Sequence, residues 1–145
     1  MDIITTFNFR AAQIDHDLRI SGVEGEAGAH VTVLALTRHG IHQPQVSILV
    51  DDLDAPRTAR VICSMEQSAI CDGLVVYATL IDAISGRTNK DASWRNGILQ
   101  RLHLFDGGIA TGKLQQTMAR GMRYSVRVND PAPGLMTYSI SRRSD

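Results

Sequence analysis

An apolar-polar alternation with a period of two restricts this chain more than any other feature. Ile14, His16, Leu18 and Ile20 alternate with Asp15, Asp17 and Arg19. Met122, Tyr124, Val126 and Val128 alternate with Arg123, Ser125, Arg127 and Asn129, and Met136, Tyr138 and Ile140 with Thr137, Ser139 and Ser141. Successive side chains of a strand point to opposite faces, so each stretch reads as a strand with one dry and one wet side.

Two runs, Val31 to Leu36 and Leu74 to Ile81, are apolar on both faces and suit central strands. Val46 to Val50, Arg60 to Cys63 and Ile98 to Phe105 complete the regular set, with Ile3 to Phe9 and Ile109 to Leu114 as further candidates. About nine to ten short strands parted by Gly, Pro, Asn and Asp predict an all-β fold, a two-sheet β-sandwich. Asp72 can cap a helix over Gly73 to Ile84 stopped by Gly86, but its Val, Tyr, Thr and Ile content favours a strand. Ser85 to Gly97 reads as a long loop. No repeat or linker interrupts the chain, so residues 1–145 are expected to form one domain. The expected core is Leu18, Ile20, Val31, Val33, Leu34, Leu36, Ile48, Val50, Val76, Ala78, Leu80, Leu102, Leu104, Tyr124, Val126 and Tyr138.

With 145 residues, a single core suffices, and neither metal nor disulfide is required for folding. Cys63 and Cys71 would face each other if residues 60–74 formed a tight hairpin; otherwise they are packed thiols. Met1-Asp2-Ile3-Ile4 lacks a basic leader, and no apolar stretch reaches the roughly 18 residues of a membrane span, so a cytoplasmic location is expected.

Net charge is zero but unevenly spread. Residues 1–54 carry three arginines against eight carboxylates, a net of −5, and the remainder carries +5. Interleaving of the two halves in a sandwich would erase this asymmetry. Basic charge is almost all arginine, thirteen to two lysines. Arg123, Arg127 and Arg142 fall on the last two strands and form a candidate interaction surface. The absence of interleaved aromatics on that face argues against single-stranded nucleic acid as the partner.

Gly107 to Leu114 has P-loop spacing, but Leu114 stands where Ser or Thr must hold magnesium, so a glycine-rich turn is the plainer reading. His39 and His42 read as a loop beside Gly40 and Pro44, with no third metal ligand suggested by the sequence. No nucleophile, base and orienting group assemble from the sequence, so a non-enzyme is expected. Asp51, Asp52 and Asp54 crowd a strand exit, where a hard cation would relieve their repulsion, and Asp82 ends another expected strand.

Several stretches together resemble the TerD-type tellurium-resistance and bacterial stress proteins. Leu74-Val75-Val76-Tyr77-Ala78-Thr79-Leu80-Ile81-Asp82-Ala83 is similar to that family's central strand with its Thr-x-x-Asp-Ala ending. Arg101 to Ala110 and Leu114 follow in the family's order, and Asp51-Asp52-Leu53-Asp54-Ala55-Pro56 is similar to its Asn-Asn-Leu-x-x-Pro turn. The resemblance implies a β-sandwich and calcium bound by acidic loops. The family's Asp-x-Asp is here Gly28-Ala29-His30, which leaves Asp51, Asp52, Asp54 and Asp82 as the candidate ligands. The expectation is a non-enzymatic, stress-associated binding protein with calcium as the one candidate ion and no cofactor required. The alternative is an assembly protein of a phage, toxin or secretion system, with homo-oligomers joining Arg-rich strands to acidic loops.

Overall fold

A computed structural model describes residues 2–28, 30–85, 93–105 and 114–142. The elements are α1 (Ile3–Ile14), β1 (Leu18–Glu26), β2 (Thr32–Arg38), β3 (Ile41–His42), β4 (Val46–Val50), β5 (Thr58–Ser64), α2 (Gln67–Ser85), α3 (Ser93–Arg101), β6 (Gln115–Ala119), β7 (Met122–Val128) and β8 (Leu135–Arg142). The strands form one antiparallel sheet in the order β1-β2-β4-β5-β8-β7-β6, with β3 hydrogen-bonded to β2.

The two-sheet sandwich is therefore incorrect: the fold is α+β, one sheet with helices packed on it. Three expected strands are helical. Ile3 to Phe9 lies in α1, Leu74 to Ile81 in α2, and Ile98 to Phe105 begins inside α3. Ile109 to Leu114 and the P-loop-like stretch lie, apart from Leu114, outside the described residues.

Local chemistry accounts for each helix. The Asp2 carboxylate accepts from the Thr5 N–H at 2.8 Å, an N-cap, and Ile3, Phe7, Arg10 and Ala11 form a buried helical stripe. The second half of α2 is enclosed on all sides, with Val76 to Ala83 buried without a break. Continuous burial removes the amphipathic period, and β-branched content then favours a strand that the tertiary context overrides. Gly73 brings α2 close to the sheet, since a Cβ there would stand 3.0 Å from both Cys63 Sγ and Tyr138 Cε2. At 19 residues, α2 is long and apolar enough to cross a membrane by composition, contrary to the sequence expectation. Here it is the core helix.

Strand parity assigns two sheet faces. On the helix side, Leu34, Ile48, Val61, Tyr138 and Val126 follow one another across five strands and are all buried. Tyr77 from α2 donates to the Ser139 carbonyl at 2.7 Å, and Tyr138 donates to the Ile70 carbonyl at 3.1 Å. Arg38 ties the layers together, donating to Asp15 at 2.7 Å and to Asp72 of α2 at 2.8 Å. Burial opposes ionisation of Asp15, but the Arg38 hydrogen bond and charge outweigh it and hold the carboxyl below its usual range.

At the outer edge of β1, Asn8 of α1 mimics a strand. Its amide donates to the Ile20 carbonyl at 3.0 Å, and its oxygen accepts from the Ile20 N–H at 2.8 Å. The proximal edge of β1 is thus closed, and irregular registers after Ile20 and Val23 break up its distal half. Two-residue turns with left-handed backbone, His39-Gly40 and Arg120-Gly121, close the β2–β3 and β6–β7 hairpins.

Candidate anion-binding face of the sheet

The face opposite the helices carries the residues of the other parity. One row runs Arg60 (β5), Ser139 (β8), Ser125 (β7), Gln116 (β6). The rows on either side are Thr58, Ser141, Arg123, Met118 and Ile62, Thr137, Arg127. Adjacent strands stand about 4.8 Å apart and alternate residues about 7 Å apart along a strand. Arg60 therefore sits roughly 10 Å from Ser125 across the sheet, and Arg123 and Arg127 about 7 Å from it on either side. Three guanidiniums surround a pair of hydroxyls.

These residues line a shallow trough of ≈ 330 Å³ floored by Ser125 and Ser139, with Thr58, Ser141, Gln116, Leu114 and Asp130 at its margins. Among the described residues, none of Arg60, Arg123 and Arg127 forms an ion pair. Arg127 and Arg123 are exposed and Arg60 is half-buried. An arginine fork presents several N–H donors and matches carboxylate and phosphate oxygens, while the hydroxyls donate from the floor. The arrangement has the donors that an anionic group requires.

Arg142 does not join it. Its partner in register is Met122, whose parity is that of Tyr124 and Ile140, so it belongs to the helix-side face. Arg123 and Arg127 share one face of β7, and Arg60 of β5, which a central-strand reading treats as incidental, lies on the same side of the sheet. The alternation of Arg60 and Ile62 with Val61 and Cys63 is the signal that assigns its face.

The acidic residues have other roles. Asp51 closes the β4–β5 loop by accepting from the N–H groups of Arg57 at 2.9 Å and Thr58 at 3.1 Å. Asp52 accepts from Asp54 N–H at 2.8 Å and Ala55 N–H at 3.2 Å, and these bonds hold its carboxyl below its ordinary range. Asp54 lies exposed in the same loop. Asp82 ends no strand: it is buried on α2, where Arg95 Nη1 of α3 donates to it at 2.6 Å. Among the described residues, no group of three or more His, Cys, Asp or Glu side chains is placed to hold a metal, so the four aspartates are not brought together as a ligand set.

His39 pairs with Asp17 at 3.3 Å and His42 with Glu24 at 3.7 Å. The cysteines do not face each other: Cys63 is buried on β5, Cys71 is exposed on α2, and both are free thiols. Burial, aided by the nearby Asp72 charge, pushes the Cys63 thiol up to about 12, so it is no nucleophile at neutral pH.

Comparison with protein-family models, curated proteins and solved structures finds no match to this chain. The TerD-type resemblance therefore stands on the quoted residues alone, and the stretch likened to that family's central strand is helix α2.

Proposed function

We propose that this is a non-enzymatic binding protein that receives an anionic group of a partner on the uncovered face of its sheet. The observation that carries the reading is the triangle of Arg60, Arg123 and Arg127 around the Ser125–Ser139 hydroxyl pair: among the described residues none of the three forms an ion pair, and they outnumber Asp130, the carboxylate at the trough's margin, three to one. Uncompensated arginine on a sheet face repels itself and is more readily accounted for by an incoming anion than by folding. Among the described residues, no aromatic side chain lines the trough to offer nucleobases a stacking platform.

Net charge makes a clean test. The chain is formally neutral, with a sequence pI of ≈ 7.0, so a bulk cationic protein is not being assayed. At a pH one unit above that value the wild type is expected to be retained on phosphocellulose at low salt and released as salt rises. The Arg60→Gln/Arg123→Gln/Arg127→Gln variant is expected in the flow-through, whereas Arg142→Gln is expected to be retained. Equal retention of both variants would remove the trough from the account.

A further inference from the structure

Within the sheet, the strands of the two halves of the sequence do not interleave. The strand order places β1, β2 and β4 at one end of the sheet and β8, β7 and β6 at the other. The charge asymmetry therefore survives as a dipole in space. Residues 15–42, at the β1 end, carry four carboxylates against two arginines; residues 114–142, at the β6 end, carry four arginines against one carboxylate. The outer strands β1 and β6 lie about 29 Å apart, six steps of about 4.8 Å. That exceeds the roughly 8 Å screening length at physiological salt, so the two ends of one molecule do not neutralise each other.

The acidic end projects a suitable segment. Val23, Glu24 and Glu26 lie in the distal half of β1, beyond the reach of Asn8, and all are exposed, Val23 at 52%. The segment is extended and mixes carboxylates with an apolar side chain. The basic end mirrors it: Arg123 and Arg127 in the trough stand beside the exposed Leu114 and Met118.

Given the anion-binding reading above, we infer that the partner is a second copy of this chain, whose acidic β1–β2 hairpin seats its Glu24–Glu26 segment in the arginine trough. The contact is heterologous: each copy presents one acidic and one basic end, so association proceeds head to tail into rings or filaments rather than stopping at a two-fold dimer. It is governed by charge complementarity and weakens with salt.

The experiment is sedimentation velocity on the full chain over a range of concentrations, from about 0.01 M to about 1 M salt, across which the screening length falls from about 30 Å to about 3 Å. The expected result is concentration-dependent growth at low salt, reversal to monomer at high salt, and dissociation by millimolar inorganic tripolyphosphate competing for the trough. Glu24→Lys/Glu26→Lys and Arg123→Glu/Arg127→Glu are each expected to be monomeric alone. Mixed in equal amounts, they should form at least a 1:1 complex, because each retains one native end. Matching thermal melts keep misfolding from imitating the effect. A wild type that is monomeric up to about 1 mM at low salt, where only affinities weaker than about −4 kcal/mol escape notice, overturns the inference. So does association that both charge reversals leave unchanged. Direct titration of wild type with tripolyphosphate separates the two levels: a monomer that binds it loses the self-association and keeps the anion-binding reading, and a monomer that does not loses both.

Discussion

Replacing Asp82 by Asn removes one charge and almost no volume from the junction of α2 and α3. The Asp82 side chain is 2% exposed and that of Arg95 is 15% exposed, with 2.6 Å between Nη1 and Oδ2. Removing one partner of a buried pair costs about 3–5 kcal/mol, because the other charge remains desolvated and uncompensated. Arg95 retains slight access to water and an amide oxygen can still accept its hydrogen bond, so the low end applies, about 3 kcal/mol. For 145 residues the unfolding entropy is about 0.3 kcal/mol per kelvin, and the midpoint should fall by about 10 °C. Thermal and urea melts followed by circular dichroism measure this. A double-mutant cycle with Arg95→Met sharpens it: the double variant should be less destabilised than the sum of the singles by at least about 1 kcal/mol. A change below about 0.5 kcal/mol in Asp82→Asn, or strict additivity in the cycle, would refute the view that this pair anchors α3. The consequence extends to the trough, because Trp94 of α3 lies under the guanidinium of Arg120 at 4.8 Å, and Arg120 begins the turn from β6 to β7.

Further outcomes follow from other contacts. Gly73→Ala should gain about 1 kcal/mol of helix propensity and lose more to overpacking, about 1–3 kcal/mol, since its Cβ would meet Tyr138, which is held by the Ile70 carbonyl; a net stabilisation in urea melts would show that the helix–sheet spacing is not tight. Asn8→Ala should lose about 1–3 kcal/mol by leaving the Ile20 edge groups unpaired, and light scattering should detect faster aggregation as the β1 edge opens. Cys63 is raised by burial from 9.0 to about 12, and burial raises Tyr77 and Tyr138 as well. The unfolded chain therefore releases these protons first. Their contribution to stability is complete below about pH 9 and is lost as pH rises toward 12, so urea midpoints should decline over that window; midpoints flat from pH 8 to 11 would contradict the burial of these groups. At neutral pH, a thiol reagent should modify Cys71 promptly and Cys63 only on unfolding.

Of the strands that line the trough, β7 and β8 were legible because each has one wet face, and Arg60 to Cys63 falls within β5, whereas β6 (Gln115–Ala119) was not expected. The expected Met122 to Asn129 runs one residue past the end of β7, and Val46 to Val50, outside the trough, coincides with β4. β8 extends the expected Met136 to Ser141 by one residue at each end. What failed is instructive. The apolar run Leu74 to Ile81 is no longer than β8, so neither its length nor its β-branched content separates helix from strand; the Asp72-capped helix over Gly73 to Ile84, set aside in favour of a strand, is the alternative that α2 matches. Ile3, Phe7, Arg10 and Ala11 carry a helical period that a strand reading of Ile3 to Phe9 passes over. Once α2 is a helix, Asp82 ceases to end a strand and becomes half of an ion pair, so the expected cation site loses a member through the fold rather than through its own chemistry. The spatial charge dipole was not legible, because it depends on strand order, which local patterning does not encode.

The most direct test of the central claim is amide chemical-shift mapping of the protein during titration with inorganic tripolyphosphate. The account predicts saturable, salt-sensitive shifts confined to Thr58–Arg60, Arg123–Arg127 and Ser139–Ser141, which flank the trough on three adjacent strands. Shifts concentrated instead at the β1–β2 hairpin or along α2, or no saturable shifts at low salt, would contradict it.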